Sequence, residues 1–191
     1  MAKNLVNVEQ VSKAFDINSL LTRVSIGISE NDRIGIVGRN GGGKSTLVKI
    51  LAGLIQPDSG KVSRSNSTIF GLLNQIDFLD AKTKVGEYVL EGIKEHEWAR
   101  NSHSREVLHG LFGSDAKEFF NREFDSLSGG EKRRVGIAKL LIEPLNLILL
   151  DEPTNHLDVE GVTWLAKHLR ERKNLAIVVI THDRWFLDEI S

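Results

Sequence analysis

Nine consecutive residues, Gly38-Arg39-Asn40-Gly41-Gly42-Gly43-Lys44-Ser45-Thr46, carry the densest chemistry in the chain. They match G-x-x-x-x-G-K-[S/T], a spacing suited to a polyanion. Glycines let a loop wrap until successive N–H groups point at one anion, and the positive end of a following helix adds to that field. Lys44 supplies a point charge for β- and γ-phosphates, the Ser45 hydroxyl suits Mg²⁺, and Thr46 can reach an α-phosphate. A glycine-rich turn that caps a helix is the bland alternative. At ordinary residue frequencies the pattern arises by chance in below roughly one per cent of chains this long.

Two further clusters belong with it. Leu147-Ile148-Leu149-Leu150 is an apolar strand that ends in Asp151-Glu152. Ligands bind at the carboxyl ends of strands in an open parallel sheet, so these carboxylates can lie beside the loop despite their distance in sequence. Asp151 is placed to hold the Mg²⁺, directly or through water. Glu152 is placed to orient the attacking water and take its proton. In isolation an acidic pair after a strand reads as a polar loop; the glycine loop upstream reverses that reading. Leu127-Ser128-Gly129-Gly130-Glu131 opens a helix, with Ser128 as cap and the N–H groups of Gly129 and Gly130 left to face an anion. By itself this pentapeptide is a glycine turn plus an N-cap.

The surrounding elements have the periodicities needed to position these groups. Val24, Ile26 and Ile28 alternate with small or polar residues, the mark of a half-buried antiparallel strand, and Leu5, Val6, Val8 and Val11 fit a similar one. Ile34 to Val37 is a short strand before the glycine loop. Ser45 to Leu54 follows with apolar residues at Leu47, Ile50, Leu51 and Leu54, a helical spacing, until Pro57-Asp58-Ser59-Gly60 turns the chain. Ile69 to Leu73 reads as a strand and residues 77–126 as mostly helical. A helix from about Gly130 to Ile142, a strand from Leu145 to Leu150, a helix from Val162 to Glu171 and a strand from Leu175 to Ile180 complete the pattern. Short apolar strands alternating with helices indicate a parallel sheet covered on both faces.

Length and composition agree with one globular domain: 191 residues, 40% apolar and 27% charged. Net charge is −1, so overall charge gives no reason to expect a nucleic-acid or membrane surface. There is no cysteine, which excludes disulfides and thiolate metal sites. No apolar run approaches the ~20 residues that span a bilayer, and the N-terminus does not read as a secretory signal. The expectation is a soluble, cytoplasmic protein.

The phosphate loop, Gln75 at a strand end, LSGGE, LLDEPTNHLD and THD follow one another in the order found in ATP-binding-cassette (ABC) ATPases. The chain resembles that family from about Leu5 to His182. The resemblance implies an α/β fold of P-loop NTPase type, with a parallel core sheet, an N-terminal antiparallel β subdomain and a helical insert subdomain. One nucleotide-binding domain over residues 1–191 would then comprise the β and ATP-binding core, 1–76 and 140–191, and a helical subdomain over about 77–139. It further implies Mg²⁺-dependent binding of ATP and its hydrolysis to ADP and phosphate, mainly when two cassettes pack head to tail. Each nucleotide would lie between the phosphate loop of one cassette and Ser128, Gly129 and Gly130 of the other. On this pattern Gln75 senses Mg²⁺ and the attacking water, Asp158 communicates across the interface, and His182 contacts the γ-phosphate. Phe15 stands where the family stacks a ring on adenine, an interaction worth about 1–3 kcal/mol per base; a core phenylalanine beside a strand is the alternative. Stacking reads no base edge, so a preference for ATP over GTP rests on the resemblance alone.

Two details resemble the ABC-F branch. The signature ends in Glu131 where transporter cassettes commonly carry glutamine, and the segments Asp151 to Asp158 and Thr181 to Asp188 follow the ABC-F pattern. ABC-F proteins are soluble, carry two cassettes and act on the ribosome in translation or antibiotic resistance. The implied partners are a second cassette, in the same parent chain or a second copy, and the ribosome with its rRNA or tRNA, without a membrane. The sequence departs in having one cassette, no long charged linker and an end at Ser191 soon after His182, so a fragment or an N-terminal cassette is expected. The alternatives are an ATPase subunit of a membrane transporter and an ATP-gated scaffold with little catalysis; Glu152 and His182 together argue against the latter. His96, His103 and His109 lack metal-site spacing, and Lys132-Arg133-Arg134 reads as an exposed basic turn rather than an RNA contact.

Overall fold

The computed structural model describes residues 2–15, 18–73, 82–91, 101–113 and 116–191. Strands β1 (Asn4–Phe15), β2 (Asn18–Ser29) and β4 (Ser59–Arg64) form an antiparallel sheet in the order β2-β1-β4. Its apolar residues Leu5, Val6, Val8, Val11, Leu21 and Ile28 are buried. The alternation in β2 is the cause: Val24, Ile26 and Ile28 turn inward while Ser25 and Gly27 stay exposed. β4 escapes the sequence pattern because Val62 is its only large apolar residue, and pairing with β1 rather than burial makes it a strand.

A second sheet has the order β3-β7-β6-β5, from β3 (Arg33–Ile36), β5 (Phe70–Leu73), β6 (Leu147–Asp151) and β7 (Ala176–Ile180). β7 runs parallel to both β3 and β6. Residues Leu147 to Leu150 and Ala176 to Ile180 are buried at every position, as strands covered on both faces must be. The expected α/β class with a parallel core and an antiparallel N-terminal sheet therefore holds.

Helix α1 (Lys44–Leu51) buries Leu47, Val48, Ile50 and Leu51 in one core with residues of β1, β2, β6 and β7. It ends three residues before the helical spacing suggests, and Leu54 is 60% exposed rather than core. The reason is local. Gly53 adopts φ 76° and its N–H donates to Ile50 O, while Leu54 N–H donates to Lys49 O, the paired bonds of a Schellman stop. The Arg64 side chain adds bonds from Nε to Leu51 O and from Nη2 to Ile50 O. Val37 likewise lies outside β3 and is 68% exposed.

The chain divides into two compact units, Met1–Leu72 with Leu145–Pro153 and Arg170–Ser191, and Leu73–Pro144 with Thr154–Leu169. The second holds helices α2 (Val85–Val89), α3 (Ser102–Phe112), α4 (Ala116–Phe120), α5 (Gly129–Ile142) and most of α6 (Val159–Glu171), whereas α7 (Arg184–Ile190) belongs to the first. In the second unit Trp164 stacks on His168 at 4.8 Å and His168 on His103 at 5.5 Å. A Cβ on Gly110 would lie 1.9 Å from the Trp164 ring, so the indole occupies the space that any other residue would need. His103 thus has a packing role and a 2.8 Å contact from Nε2 to Leu141 O. Among the described residues, no group of three His, Asp or Glu side chains is arranged to hold a metal; His96 lies outside them.

Ser128 and Glu131 close the start of α5 as a reciprocal capping box. The Glu131 N–H donates to Ser128 Oγ at 3.3 Å, and the Ser128 N–H donates to Glu131 Oε2 at 2.7 Å. Partial burial pushes the Glu131 carboxyl up, but the bonds from Arg122 and Ser128 outweigh it and lower its pKa from 4.5 to about 2. A depressed folded-state pKa adds stability that is complete above the unfolded value and lost as the folded group protonates. Glu131→Gln keeps the capping bond but loses the charged pairing with Arg122, and should therefore cost about 0.5–1 kcal/mol at neutral pH, the usual worth of a partly solvated ion pair. The gap from wild type should close as pH falls from 4.5 to about 2. Urea unfolding of both proteins across that range measures it.

Candidate active site

The phosphate loop departs from β3 and ends on α1. Gly43 is the N-cap of α1 in the left-handed region, φ 80°, and no side chain caps the helix. A Cβ on Gly43 would come 2.7 Å from Leu20 O, so the loop lies against the backbone of β2 as only glycine allows. Gly41, at φ 76°, has no heavy atom within 4 Å of where its Cβ would be. Within the loop Gly42 N–H donates to Arg39 O at 3.1 Å. The Lys44 ammonium donates to Gly38 O at 2.9 Å and Arg39 O at 3.0 Å. Two of its three N–H groups thereby fix the side chain along the loop, leaving a third to face an anion.

A cleft of about 300 Å³ is lined by Asn40 to Thr46, Leu20, Asp151, Glu152 and Ile180. The loop and the carboxylates, separate in sequence, share one cavity because α1 follows β3 and the acids end β6, with β7 between these strands. Glu152 has φ 48°, a left-handed conformation for a residue with a side chain, and its N–H donates to Ile180 O at 2.8 Å. Such backbone costs about 1–3 kcal/mol and is typical of residues held for chemistry. His182 Nε2 lies 3.0 Å from Asn40 Oδ1 and 3.5 Å from Glu152 Oε1, joining the loop, the acidic strand end and the end of β7.

Oxygen donors suit the expected metal. Ser45 and Asp151 both line the cleft and both are hard ligands. Mg²⁺ commonly takes one or two protein oxygens and completes its shell with substrate phosphates and water. Phe15 is 48% exposed and pairs with Asn18 at the end of the β1–β2 hairpin, so it is not a core residue. Lys13 Nζ lies 5.5 Å from its ring centroid. Gln75 lies outside the described residues. Leu20 also lines the cleft and was not legible from the sequence: its carbonyl lies against Gly43, and no side-chain pattern announces a backbone contact.

In the second unit, Ser128 and Gly129 are exposed at the start of α5. The two glycines there differ. A Cβ on Gly130 would meet His156 O at 2.6 Å, whereas one on Gly129 would meet nothing within 4 Å among the described residues. Asp158 precedes α6 and accepts from Gly161 N–H at 2.9 Å, with its other oxygen on Arg134. The Gly161 bond is the main reason that its carboxyl is held below the usual range, partial burial opposing and Arg134 assisting.

The sequence pattern of the ABC transporter family matches residues 21–155. The energy-dependent translational throttle protein EttA of Haemophilus influenzae is 36% identical over 192 residues, covering 100% of this chain and 34% of EttA. ABC transporter F family member 5 of Arabidopsis thaliana is 32% identical over 193 residues, covering 98% of this chain and 27% of that protein. A chain in the crystal structure of the complex of archaeal ribosomal stalk protein aP1 and archaeal ribosome recycling factor aABCE1 superposes with a TM-score of 0.85 at 31% identity. That match covers 100% of this chain and 36% of that one. The chain thus spans about a third of the length of these three relatives. Motif order, cleft and relatives agree that it belongs to the ABC transporter family, whose cassettes are ATPases.

Proposed function

We propose that this chain is one cassette of an ABC-F protein, which binds Mg-ATP and hydrolyses it when a second cassette completes the site. The observation that carries the reading is the single cleft into which Lys44, Ser45, Asp151 and Glu152 converge. Bound ATP would take its phosphates on the N–H groups of the loop and the free Lys44 donor, with adenine against Phe15. Ser45, Asp151 and Gln75 would hold Mg²⁺, which supplies charge neutralisation across the β- and γ-phosphates. Glu152 would accept the proton of the attacking water, and His182, already against Glu152 and Asn40, would contact the γ-phosphate. Ser128, Gly129, Gly130 and Asp158 would face the nucleotide held by the partner cassette.

The open space at Gly129 supports that pairing, since among the described residues nothing demands glycine there. A role on the ribosome is inferred from the similarity to EttA and to the aABCE1 complex. ATP-dependent co-sedimentation of Glu152→Gln with ribosomes tests it; retention by a membrane partner instead would favour a transporter subunit. Among the described residues no helix is long and apolar enough to cross a membrane.

Four outcomes are expected. Turnover per chain should rise with protein concentration; a high rate that stays constant down to nanomolar protein contradicts the pairing. Glu152→Gln should lower turnover by roughly 10²–10⁴-fold, keep ATP binding and increase the dimer seen by size exclusion with ATP. Gly130→Ala should cost about 1–3 kcal/mol of stability through the collision with His156 O. Gly129→Ala should stay within about 0.5 kcal/mol of wild type, yet lose roughly tenfold or more in paired turnover. Thermal melts alongside phosphate release separate the last two.

A further inference from the structure

Arg122 contacts the signature turn from both sides. Its Nη1 pairs with Glu131 Oε1, and its Nη2 donates to Ser126 O at 3.0 Å and lies 3.5 Å from Glu131 Oε2. The guanidinium centre lies 5.1 Å from the Phe119 ring centroid, which restrains the fork from behind. Ser126 and Glu131 bracket Ser128, so one planar side chain ties the short 3₁₀ turn Phe124–Ser126 to the first turn of α5. Glu131 in turn holds Ser128 by its N–H. There is also an electrostatic conflict to resolve. A carboxylate in the first turn competes with any polyanion for the same exposed N–H groups and the same helix end. A glutamine there would make no such conflict, whereas this chain has Glu131.

We propose that Arg122 is the positioning residue of the signature turn: it fixes Ser128 and cancels the Glu131 charge, so that the turn accepts the γ-phosphate of a nucleotide held by a second cassette. The proposal rests on the paired-site reading above. Neither lysine nor glutamine can replace the fork, because a lysine carries the charge on a single point and a glutamine carries none.

Arg122→Gln should leave ATP binding to dilute protein unchanged, lower paired kcat by roughly tenfold or more with little change in KM, and speed hydrogen exchange at the Ser128 N–H. Arg122→Gln with Glu131→Gln should recover most of the lost turnover, because the amide still accepts from Ser128 while the charge is gone. Arg122→Lys should fall between wild type and Arg122→Gln in turnover, and it serves if Arg122→Gln does not fold. Wild-type turnover and Ser128 exchange in Arg122→Gln or Arg122→Lys would overturn the positioning role. A double variant no better than Arg122→Gln would overturn the charge role. A wild-type chain whose turnover per chain does not rise with concentration would refute the paired-site reading instead, and Ser128 exchange would still decide whether Arg122 positions the turn.

Discussion

The site depends on the contact between Gly43 and the backbone of β2. The missing side chain lets the loop approach Leu20 O, where a Cβ would stand 2.7 Å away. That approach sets where α1 begins, and with it where the N–H groups of Lys44, Ser45 and Thr46 point. From the other end, α1 is held by the Schellman stop at Gly53 and by the Arg64 side chain on the last carbonyls. Between these two anchors, Leu47, Val48, Ile50 and Leu51 join a core shared with both sheets. An anion-binding helix end is useful only if it does not drift, and here packing, cap and loop all restrain it.

Much of this was legible because the motifs carry their own geometry. The glycine loop, the acidic end of β6 and the signature turn each imply an element boundary, and each boundary falls within a residue or two of its expected place. The run Leu147 to Leu150 could only be a buried strand, and a buried strand that ends in acids must end at solvent. What was not legible depended on partners distant in sequence. β4 has too few apolar residues to declare itself and exists through pairing with β1. Leu54 follows the helical period, yet the left-handed Gly53 ends the helix first. Leu20 meets Gly43 through its carbonyl, and Arg122 reads as one more surface arginine until Glu131 and Ser126 are found on either side of it.

The two glycines of the signature turn show how differently the same residue type can be required. Gly130 is demanded from within, by the carbonyl of His156, whose own backbone has φ 65°. Gly129 answers to no neighbour among the described residues. Asp158 shows the reverse case, because the role proposed for it towards a partner falls on the carboxylate that caps α6. Both of its oxygens are engaged within its own unit, one by the Gly161 N–H and the other by Arg134, so any role outward would share bonds that already hold the fold.

Lys44 carries a thermodynamic consequence. Its ammonium spans Gly38 O and Arg39 O, so the charge and the curvature of the loop are locked together. A ligand arriving at this cup meets a surface already curved around the space it will fill, and few backbone torsions remain to be frozen on association. Ordering that would otherwise subtract from affinity has been completed during folding. Any replacement that removed the ammonium would thus remove more than a charge: it would return the loop's own entropy to the binding equilibrium.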